Sequence, residues 1–111
     1  MSYTPRILIA DDDVLVCETL EELLFDQNYE IRSVHTGEEA IDSLGKDPYD
    51  FVLLDIVMPD TGDLEVLNHI TGQSLDAMVI VMTGYASTES AIDALNNGAY
   101  YYIKKPYKEM N

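Results

Sequence analysis

The sequence has one cysteine, few basic residues and no tryptophan among its 111 residues. The cysteine, Cys17, cannot form an internal disulfide or a cysteine-based zinc site, and it suits a reducing setting, so we expect a cytoplasmic protein. Six Lys and Arg against 21 Asp and Glu give a formal net charge of −15. Because such an acidic surface repels phosphate backbones and anionic lipids, we expect no nucleic-acid or membrane partner. The apolar runs, such as Ala77–Met82, are far too short to span a bilayer.

Apolar residues make up 47% of the chain, which is enough for the core of one domain. Some runs are apolar at every position, and this pattern is typical of strands buried on both faces of a parallel sheet. Three strong and two weaker strand candidates are Ile7–Ala10, Phe51–Leu54, Met78–Met82, Tyr29–Val34 and Tyr101–Lys104. Helical patterns separate them, so we expect a doubly wound α/β fold with helices on both faces of a five-stranded parallel sheet.

Four helices are predicted between these strands, at about Val14–Asp26, Thr36–Gly45, Leu64–Thr71 and Thr88–Asn96. Asp13 is expected to cap the first helix, whose apolar stripe is Val16, Leu20, Leu23 and Leu24. The second helix starts with a capping box, in which Thr36 caps and Glu39 reaches back. Gly45 is expected to end that helix in a left-handed conformation. Ser87 is expected to cap the fourth helix, and Asn97-Gly98 to stop it.

Polar residues follow four of the predicted strands, at the edge where parallel sheets form their binding sites. They are Asp11–Asp13, Asp55, Thr83 and Lys104–Pro106. Clustered carboxylates repel one another unless a cation lies between them, and hard oxygen ligands favour Mg²⁺ or Mn²⁺. Asp55 beside such an ion is poised as a nucleophile toward phosphorus. Each residue taken singly also fits a helix cap, a turn or a surface lysine, but their convergence on one edge favours a site.

The chain resembles the receiver domain of two-component response regulators, including those of chemotaxis. The resemblance covers nearly the whole sequence, and its specificity comes from the order and spacing of several short pieces. These are Ile7–Asp13, Thr36–Ala40, Asp55–Pro59, Thr83–Tyr85, Gly98–Ala99 and Tyr102–Tyr107. The resemblance implies a flavodoxin-like fold with strand order 2-1-3-4-5.

The resemblance also implies a function, namely a phosphoacceptor that takes a phosphoryl group from the phosphohistidine of a sensor kinase or a histidine phosphotransfer domain. Asp55 is then the phosphoacceptor, and Lys105 contacts the phosphoryl group. Magnesium or manganese is then held by the carboxylates of Asp11, Asp12 and Asp55 and by the backbone carbonyl of Val57. Thr83 and Tyr102 form the conformational switch, and the Lys105–Pro106 bond is expected to be cis.

Two stretches depart from the family pattern. Thr61 replaces a usual Met, and Gly62-Asp63 reverses the common Asp-Gly order, so we expect an altered loop with intact chemistry. Val57 has no polar side chain to position an attacking water, and Tyr85 is placed to shield the phosphoryl group. We therefore expect no enzymatic activity other than self-phosphotransfer and slow self-dephosphorylation.

Other functions remain open at this stage. A haloacid dehalogenase-like phosphatase also uses an aspartyl phosphate and Mg²⁺, but it leaves Asp55 and Lys105-Pro106 unexplained. A flavodoxin-type nucleotide binder conflicts with three acids after the first strand. A receiver used only for docking, without phosphorylation, conflicts with the complete set of site residues.

The C-terminal end is short for this family. Only residues 108–111 follow Tyr107, so we expect the fifth helix to be missing or truncated. We therefore expect residues 1–111 to be a single receiver domain and the N-terminal fragment of a longer protein, whose output domain lies elsewhere in that chain. A homodimer also remains open.

Overall fold

Strands and helices alternate along the whole described part of the chain. The computed structural model describes residues 3–61, 64–73, 75–84 and 88–104. The strands are β1 (Arg6–Ala10), β2 (Glu30–Val34), β3 (Phe51–Asp55), β4 (Met78–Thr83) and β5 (Tyr101–Lys104). The α-helices are α1 (Val14–Leu24), α2 (Gly37–Lys46), α3 (Glu65–Gly72) and α4 (Thr88–Asn96), and a 3₁₀ turn at Phe25–Gln27 extends α1.

The five strands form one parallel sheet in the order β2-β1-β3-β4-β5, which confirms the predicted fold. The register aligns Ala10 with Val34 on one side and with Leu54 on the other. Asp55 pairs with Met82, and Thr83 pairs with Lys104. Since all strands run the same way, their carboxyl ends meet at one side of the sheet, which we call the carboxyl edge.

Apolar side chains cover both faces of the sheet, which explains why the strand sequences are apolar at successive positions. One face packs against α2, α3 and α4, and its strand residues include Leu8, Val52, Leu54, Val79 and Val81. The other face packs Ile7 and Ile9 against Cys17, Leu20 and Leu24 of α1. None of the described helices is long and apolar enough to cross a membrane.

Helix α1 begins as predicted, because Asp13 Oδ1 accepts hydrogen bonds from the backbone N–H groups of Leu15 at 3.0 Å and Val16 at 3.4 Å. The predicted apolar stripe is wrong at Leu23, which is 70% exposed. Cys17 takes its place in the buried stripe with Val16, Leu20 and Leu24. At about 100° per residue the stripe spans about 100° of the helix surface, from Val16 to Cys17, and Leu23 lies about 20° outside it on the Val16 side.

Helix α2 also has the predicted start, with Thr36 Oγ1 accepting from the Glu39 N–H at 3.0 Å. Glu39 reaches back one residue further than a capping box requires and accepts from the His35 N–H at 3.0 Å. The predicted end at Gly45 is wrong, because the helix continues to Lys46 and Asp47 is extended. Pro48 follows Asp47, and a residue before proline is driven out of the helical region.

The other two helices lie within one residue of their predicted bounds. The stop after α4 is also confirmed, because Gly98 has a φ of +106° and a Cβ there would overlap the side chain of Thr71. The predicted cap Ser87 and the region of the expected fifth helix lie outside the described residues.

Candidate functional site

Three carboxylates converge at the carboxyl edge. Asp11 and Asp12 follow β1, and Asp55 ends β3, which is the neighbour of β1 in the sheet. One oxygen from each of the three lies within 4.8 Å of the others. Asp11 and Asp55 are buried, whereas Asp12 is exposed. The strand pairing therefore concentrates negative charge where the sequence predicted it, with one side of the cluster open to solvent.

Asp11 is held through both its main chain and its side chain. Its N–H donates to the Val34 carbonyl at 3.1 Å, which continues the β1–β2 ladder by one residue. Its Oδ1 accepts from the Asp13 N–H at 2.9 Å. The Asp11 carbonyl lies 3.1 Å from His35 Nδ1 and 3.5 Å from Cys17 Sγ. Because a carbonyl only accepts, these contacts require a proton on His35 Nδ1 and the Cys17 thiol.

Cys17 is only 1% exposed and lies against this acidic loop. Burial, followed by the negative charges of Asp11 and Glu21, raises the pKa of the Cys17 thiol to about 11. The thiol is therefore protonated at neutral pH and acts as a small apolar side chain of the core.

Asp55 lies at the end of a central strand and is 5% exposed. Its Oδ1 accepts from the N–H of Val57 at 3.0 Å, so the carboxylate holds the start of the following loop. Met58 then buries its side chain in the core, next to Ile56 and Leu54 in the same apolar cluster. The side chain of Val57 is 39% exposed and points no polar atom toward the site.

The remaining strand ends bring a hydroxyl and an amine to the same edge. Thr83 ends β4 one residue beyond the partner of Asp55 and is 1% exposed. Lys104 ends β5 directly beside Thr83. Tyr102 is half-buried against the core, and its hydroxyl lies 3.0 Å from Ser90 Oγ in α4. The predicted switch pair therefore lies on adjacent strands, with Tyr102 linked to α4.

Two residues at this edge were not singled out from the sequence as site residues. His35 follows β2 and contacts the Asp11 carbonyl, as described above. Asp60 lies in the loop after β3, and its carboxylate accepts from the N–H groups of Gly37 at 2.8 Å and Glu38 at 3.0 Å. These two backbone hydrogen bonds lower the pKa of Asp60. The sequence signal for Asp60 is an aspartate directly after Met58-Pro59, which is too common to use alone.

Several predicted features concern residues that the structure does not describe. Lys105, the Lys105–Pro106 bond, Tyr85 and the Gly62-Asp63 inversion lie outside the described residues. Thr61, from the same departure, is described, and its side chain packs closely on Gly37.

The donor set fits a small, hard divalent ion. Magnesium binds oxygen at about 2.0–2.1 Å in octahedral geometry, so two oxygens on one ion lie about 2.9 Å apart when adjacent and about 4.2 Å apart when opposite. The three carboxylate oxygens lie within 4.8 Å of one another, so modest inward movements would bring them onto one ion. His35 Nδ1 and Cys17 Sγ face the Asp11 carbonyl, and oxygen-only ligation favours Mg²⁺ or Mn²⁺ over zinc.

Residues 7–111 match the family described as the response regulator receiver domain. The chain belongs to the receiver domain family. This family consists of regulatory domains, and the match covers both the acidic cluster and the predicted switch residues Thr83 and Tyr102. The resemblance identified from the sequence is therefore confirmed, together with the α/β fold.

Curated relatives agree with this assignment. The receiver domain is 35% identical over 102 residues to the response regulator MprA of Mycobacterium tuberculosis, covering 92% of this chain and 44% of that protein. It is 33% identical over 100 residues to the transcriptional regulatory protein ZraR of Escherichia coli, covering 90% of this chain and 23% of that protein. The chain thus spans less than half the length of these two relatives.

Solved structures agree as well. A CheY-like receiver domain protein from Methanospirillum hungatei has a TM-score of 0.86 and 32% identity, covering 94% of this chain and 83% of that one. A response regulator from Burkholderia pseudomallei has a TM-score of 0.84 and 30% identity, covering 92% of this chain and 60% of that one. The latter structure contains a phosphorylated aspartic acid, a calcium ion and citrate.

Proposed function

We propose that this receiver domain is a phosphoacceptor of a two-component phosphorelay and that Asp55 is the residue that becomes phosphorylated. The observation that carries the proposal is the position of Asp55, at the end of a central strand and grouped with Asp11 and Asp12. The phosphorylated aspartic acid in the Burkholderia pseudomallei structure supports the same chemistry.

The proposed reaction transfers one phosphoryl group from nitrogen to oxygen. A carboxylate oxygen of Asp55 forms a bond to phosphorus as the bond between phosphorus and the histidine nitrogen of a sensor kinase breaks. The histidine nitrogen keeps the electron pair of the broken bond. Phosphoryl transfer depends mainly on in-line positioning and on neutralising charge, so the residues around Asp55 need to orient and compensate rather than move protons.

In this proposal the carboxylates of Asp11, Asp12 and Asp55 and the backbone carbonyl of Val57 hold Mg²⁺ or Mn²⁺. When bound, such an ion neutralises the negative charge of the carboxylates and of the phosphoryl oxygens. Lys105 supplies a further positive charge next to the phosphoryl group. The oxygen-only donor set described above supports this assignment.

The conformational response is assigned to Thr83 and Tyr102. Phosphorylation adds negative charge and acceptor oxygens at Asp55, which draw the Thr83 hydroxyl toward the phosphoryl group. The loop after β4 then moves and leaves room for Tyr102 to turn inward. Tyr102 supports this role because it lies at the boundary between core and solvent and contacts Ser90 in α4. The result is a population shift that changes the surface of α4 and β5.

The partners follow from this role. We propose that a sensor histidine kinase or a histidine phosphotransfer domain supplies the phosphoryl group in the cytoplasm. The response regulators and transcriptional regulators that match are longer than this chain. We therefore propose that residues 1–111 are the receiver domain of a longer regulator with a separate output domain. A homodimer of the phosphorylated form remains compatible with this proposal.

The phosphorylated state is proposed to be long-lived. Val57 follows Asp55 by two residues and donates its backbone N–H to that carboxylate. Its side chain is apolar and cannot orient a water molecule for attack on phosphorus. Tyr85 is proposed to shield the phosphoryl group. A lifetime of seconds for the phosphorylated domain would contradict this part of the proposal.

The proposal is tested with acetyl phosphate, a phosphoryl donor, and separately with beryllofluoride, which binds a carboxylate as a mimic of the phosphoryl group, each in the presence of Mg²⁺. With acetyl phosphate we expect intact-mass and peptide analysis to place one adduct on Asp55 and none after Asp55→Asn. With beryllofluoride we expect shifts of the amide NMR signals around Asp55 that are absent in Asp55→Asn. An adduct on Asp11 instead would favour a phosphatase-like use of the first strand. No adduct on the folded wild-type chain would contradict a phosphoacceptor and favour a domain used only for docking.

A further inference from the structure

The loop that follows Asp55 is fixed to a helix that is remote in the sequence. Both oxygens of the Asp60 carboxylate accept hydrogen bonds from the first turn of α2, one from the Gly37 N–H at 2.8 Å and one from the Glu38 N–H at 3.0 Å. A third N–H of that turn, from Glu39, is taken by Thr36. Asp60 therefore serves as a second cap of α2 that comes from a different loop, and its negative charge also suits a helix N-terminus.

Steric contact reinforces this connection. Gly37 is buried, and a Cβ at that position would overlap the side chain of Thr61. The side chain of Thr61 thus occupies the space that a side chain at Gly37 would need, so the loop packs directly against the backbone of α2. The contact joins residues 22 or 23 positions apart in sequence, so it is a tertiary contact and not part of a local turn.

The same segment is fixed at three further points between Asp55 and Asp60. Asp55 Oδ1 holds the Val57 N–H, Met58 is buried in the core, and Pro59 restricts its own φ. Asp60 is thus the far anchor of a six-residue span whose near anchor is the candidate phosphoacceptor. Without the far anchor, the contacts that the structure describes would hold Val57 from the side of Asp55 and Met58 alone.

We propose that Asp60 is a positioning residue, which fixes the Val57 backbone for metal binding by anchoring the loop after β3 to the first turn of α2. The inference rests on the proposed function, because it assigns the Val57 carbonyl to the metal. Residues that orient metal ligands without touching the ion typically change metal affinity about 10–100-fold when removed. Asp60 is exposed and acts on Val57 only through the three-residue step of chain between them, so we expect the lower end of that range.

The test compares variants of the full chain by NMR, with Mg²⁺ as the probe and the backbone amides of Asp55 and Val57 as reporters. We expect Asp60→Ala to weaken Mg²⁺ binding about tenfold. Asp60→Asn keeps one carbonyl acceptor and should weaken binding only about two- to threefold. Gly37→Ala disturbs the same contact from the helix side without changing any charge, and it should also weaken binding.

The matched control is Asp42→Asn, which removes one negative charge from α2, the helix that Asp60 contacts. Asp42 lines the same surface groove as Asp60 but pairs with Lys46 and makes no contact with the loop after β3 among the bonds that the structure describes. We expect less than about a twofold change in its Mg²⁺ affinity, since the pair is exposed. An equal loss in Asp42→Asn and Asp60→Asn would show that only charge matters and would overturn the inference.

A second measurement does not depend on the metal. Without Mg²⁺, the Val57 amide should exchange its hydrogen about tenfold faster in Asp60→Ala than in wild type, while core amides of β1 stay protected. Unchanged Mg²⁺ affinity and Val57 exchange in a folded Asp60→Ala would overturn the inference and leave the proposed function intact. Should Asp60→Ala fail to fold, Asp60→Asn and Gly37→Ala carry the same comparison. A wild-type chain that binds no Mg²⁺ would overturn both.

Discussion

The two ends of β3 carry the same residue type in opposite surroundings. Asp50 precedes the strand, and its carboxylate accepts from the Arg6 N–H at 2.8 Å and from the Tyr3 hydroxyl at 2.7 Å. These donors lower the pKa of Asp50. Asp55 ends the strand and lies within 4.8 Å of two other carboxylates. Hydrogen-bond donors thus lie around the acid at the start of the strand, whereas other carboxylates lie beside the acid at its end.

The difference separates an acid that stabilises the fold from the acids that we propose take part in phosphoryl transfer. Asp50 fastens the N-terminal segment to the sheet, because Tyr3 and Arg6 both reach it across more than 40 residues of sequence. The acids at the carboxyl edge repel one another, so their grouping costs stability unless a cation binds. Sites of this kind commonly reduce stability in exchange for function.

The largest expected difference between the two ends is the response to Mg²⁺. At a concentration one hundred times its dissociation constant, Mg²⁺ should stabilise the folded chain by about 2.7 kcal/mol. Asp12→Asn should lose most of this gain, and Asp50→Asn should keep it. Thermal unfolding followed by far-ultraviolet circular dichroism, with and without Mg²⁺, measures both. Equal Mg²⁺ responses in the two variants would remove the distinction.

A smaller effect of opposite sign is expected without any metal. Asp12→Asn removes one of the repelling charges and should raise the free energy of unfolding by about 1 kcal/mol in the presence of a chelator. Urea unfolding at pH 7 measures this change. A loss of stability in Asp12→Asn would mean that the cluster is already compensated by other groups.

The smallest expected effect is at Asp50. Asp50→Asn should lower the unfolding temperature by a few degrees at pH 7, because the amide is a weaker acceptor for the Tyr3 hydroxyl and the Arg6 N–H. The folded-state pKa of Asp50 lies below its ordinary value of 3.8, so its stabilisation is complete above that pH. It is lost as the pH falls through the lower, folded-state pKa. The gap between wild type and Asp50→Asn should therefore be constant at neutral pH and close below about pH 4. A gap that persists in more acidic solution would contradict the assigned cause.

Much of the fold could be predicted because local pattern and tertiary structure agree. Uninterrupted apolar runs became parallel strands with both faces buried, and the caps at Asp13 and Thr36 hold as expected. Asp11, Asp55 and Thr83 each stand at the end of a strand in the sequence. Because the strands are parallel, these residues could be predicted to lie together at the carboxyl edge. The composition of the candidate site followed from that geometry.

The errors arise where two local signals compete. Gly45 is a common helix end, but Pro48 acts more strongly on Asp47 and moves the end of α2 by one residue. Leu23 is apolar and near the right spacing, yet it lies at the margin of the stripe and remains 70% exposed. A period of 3.6 residues defines a face but does not define how wide the buried part of that face is.

The contacts of Asp60 and His35 could not be predicted for a different reason. Both are tertiary: Asp60 meets the start of α2, and His35 meets the carbonyl of Asp11, 24 residues earlier. In the sequence an aspartate after a Met-Pro pair and a histidine after a strand have many ordinary explanations. Only the register of β1 with β2 and the close approach at Gly37 select these particular contacts.

The strand order has a consequence for how the sheet can assemble as the chain leaves the ribosome. β2 pairs with β1, β3 adds to the other side of β1, and β4 and β5 then extend the same side one after the other. No strand has to be inserted between two that are already paired, although each pairing must close a long loop. The strands can therefore pair in the order in which they are synthesised. The carboxylates of Asp11, Asp12 and Asp55 then come together before Thr83 and Lys104 leave the ribosome.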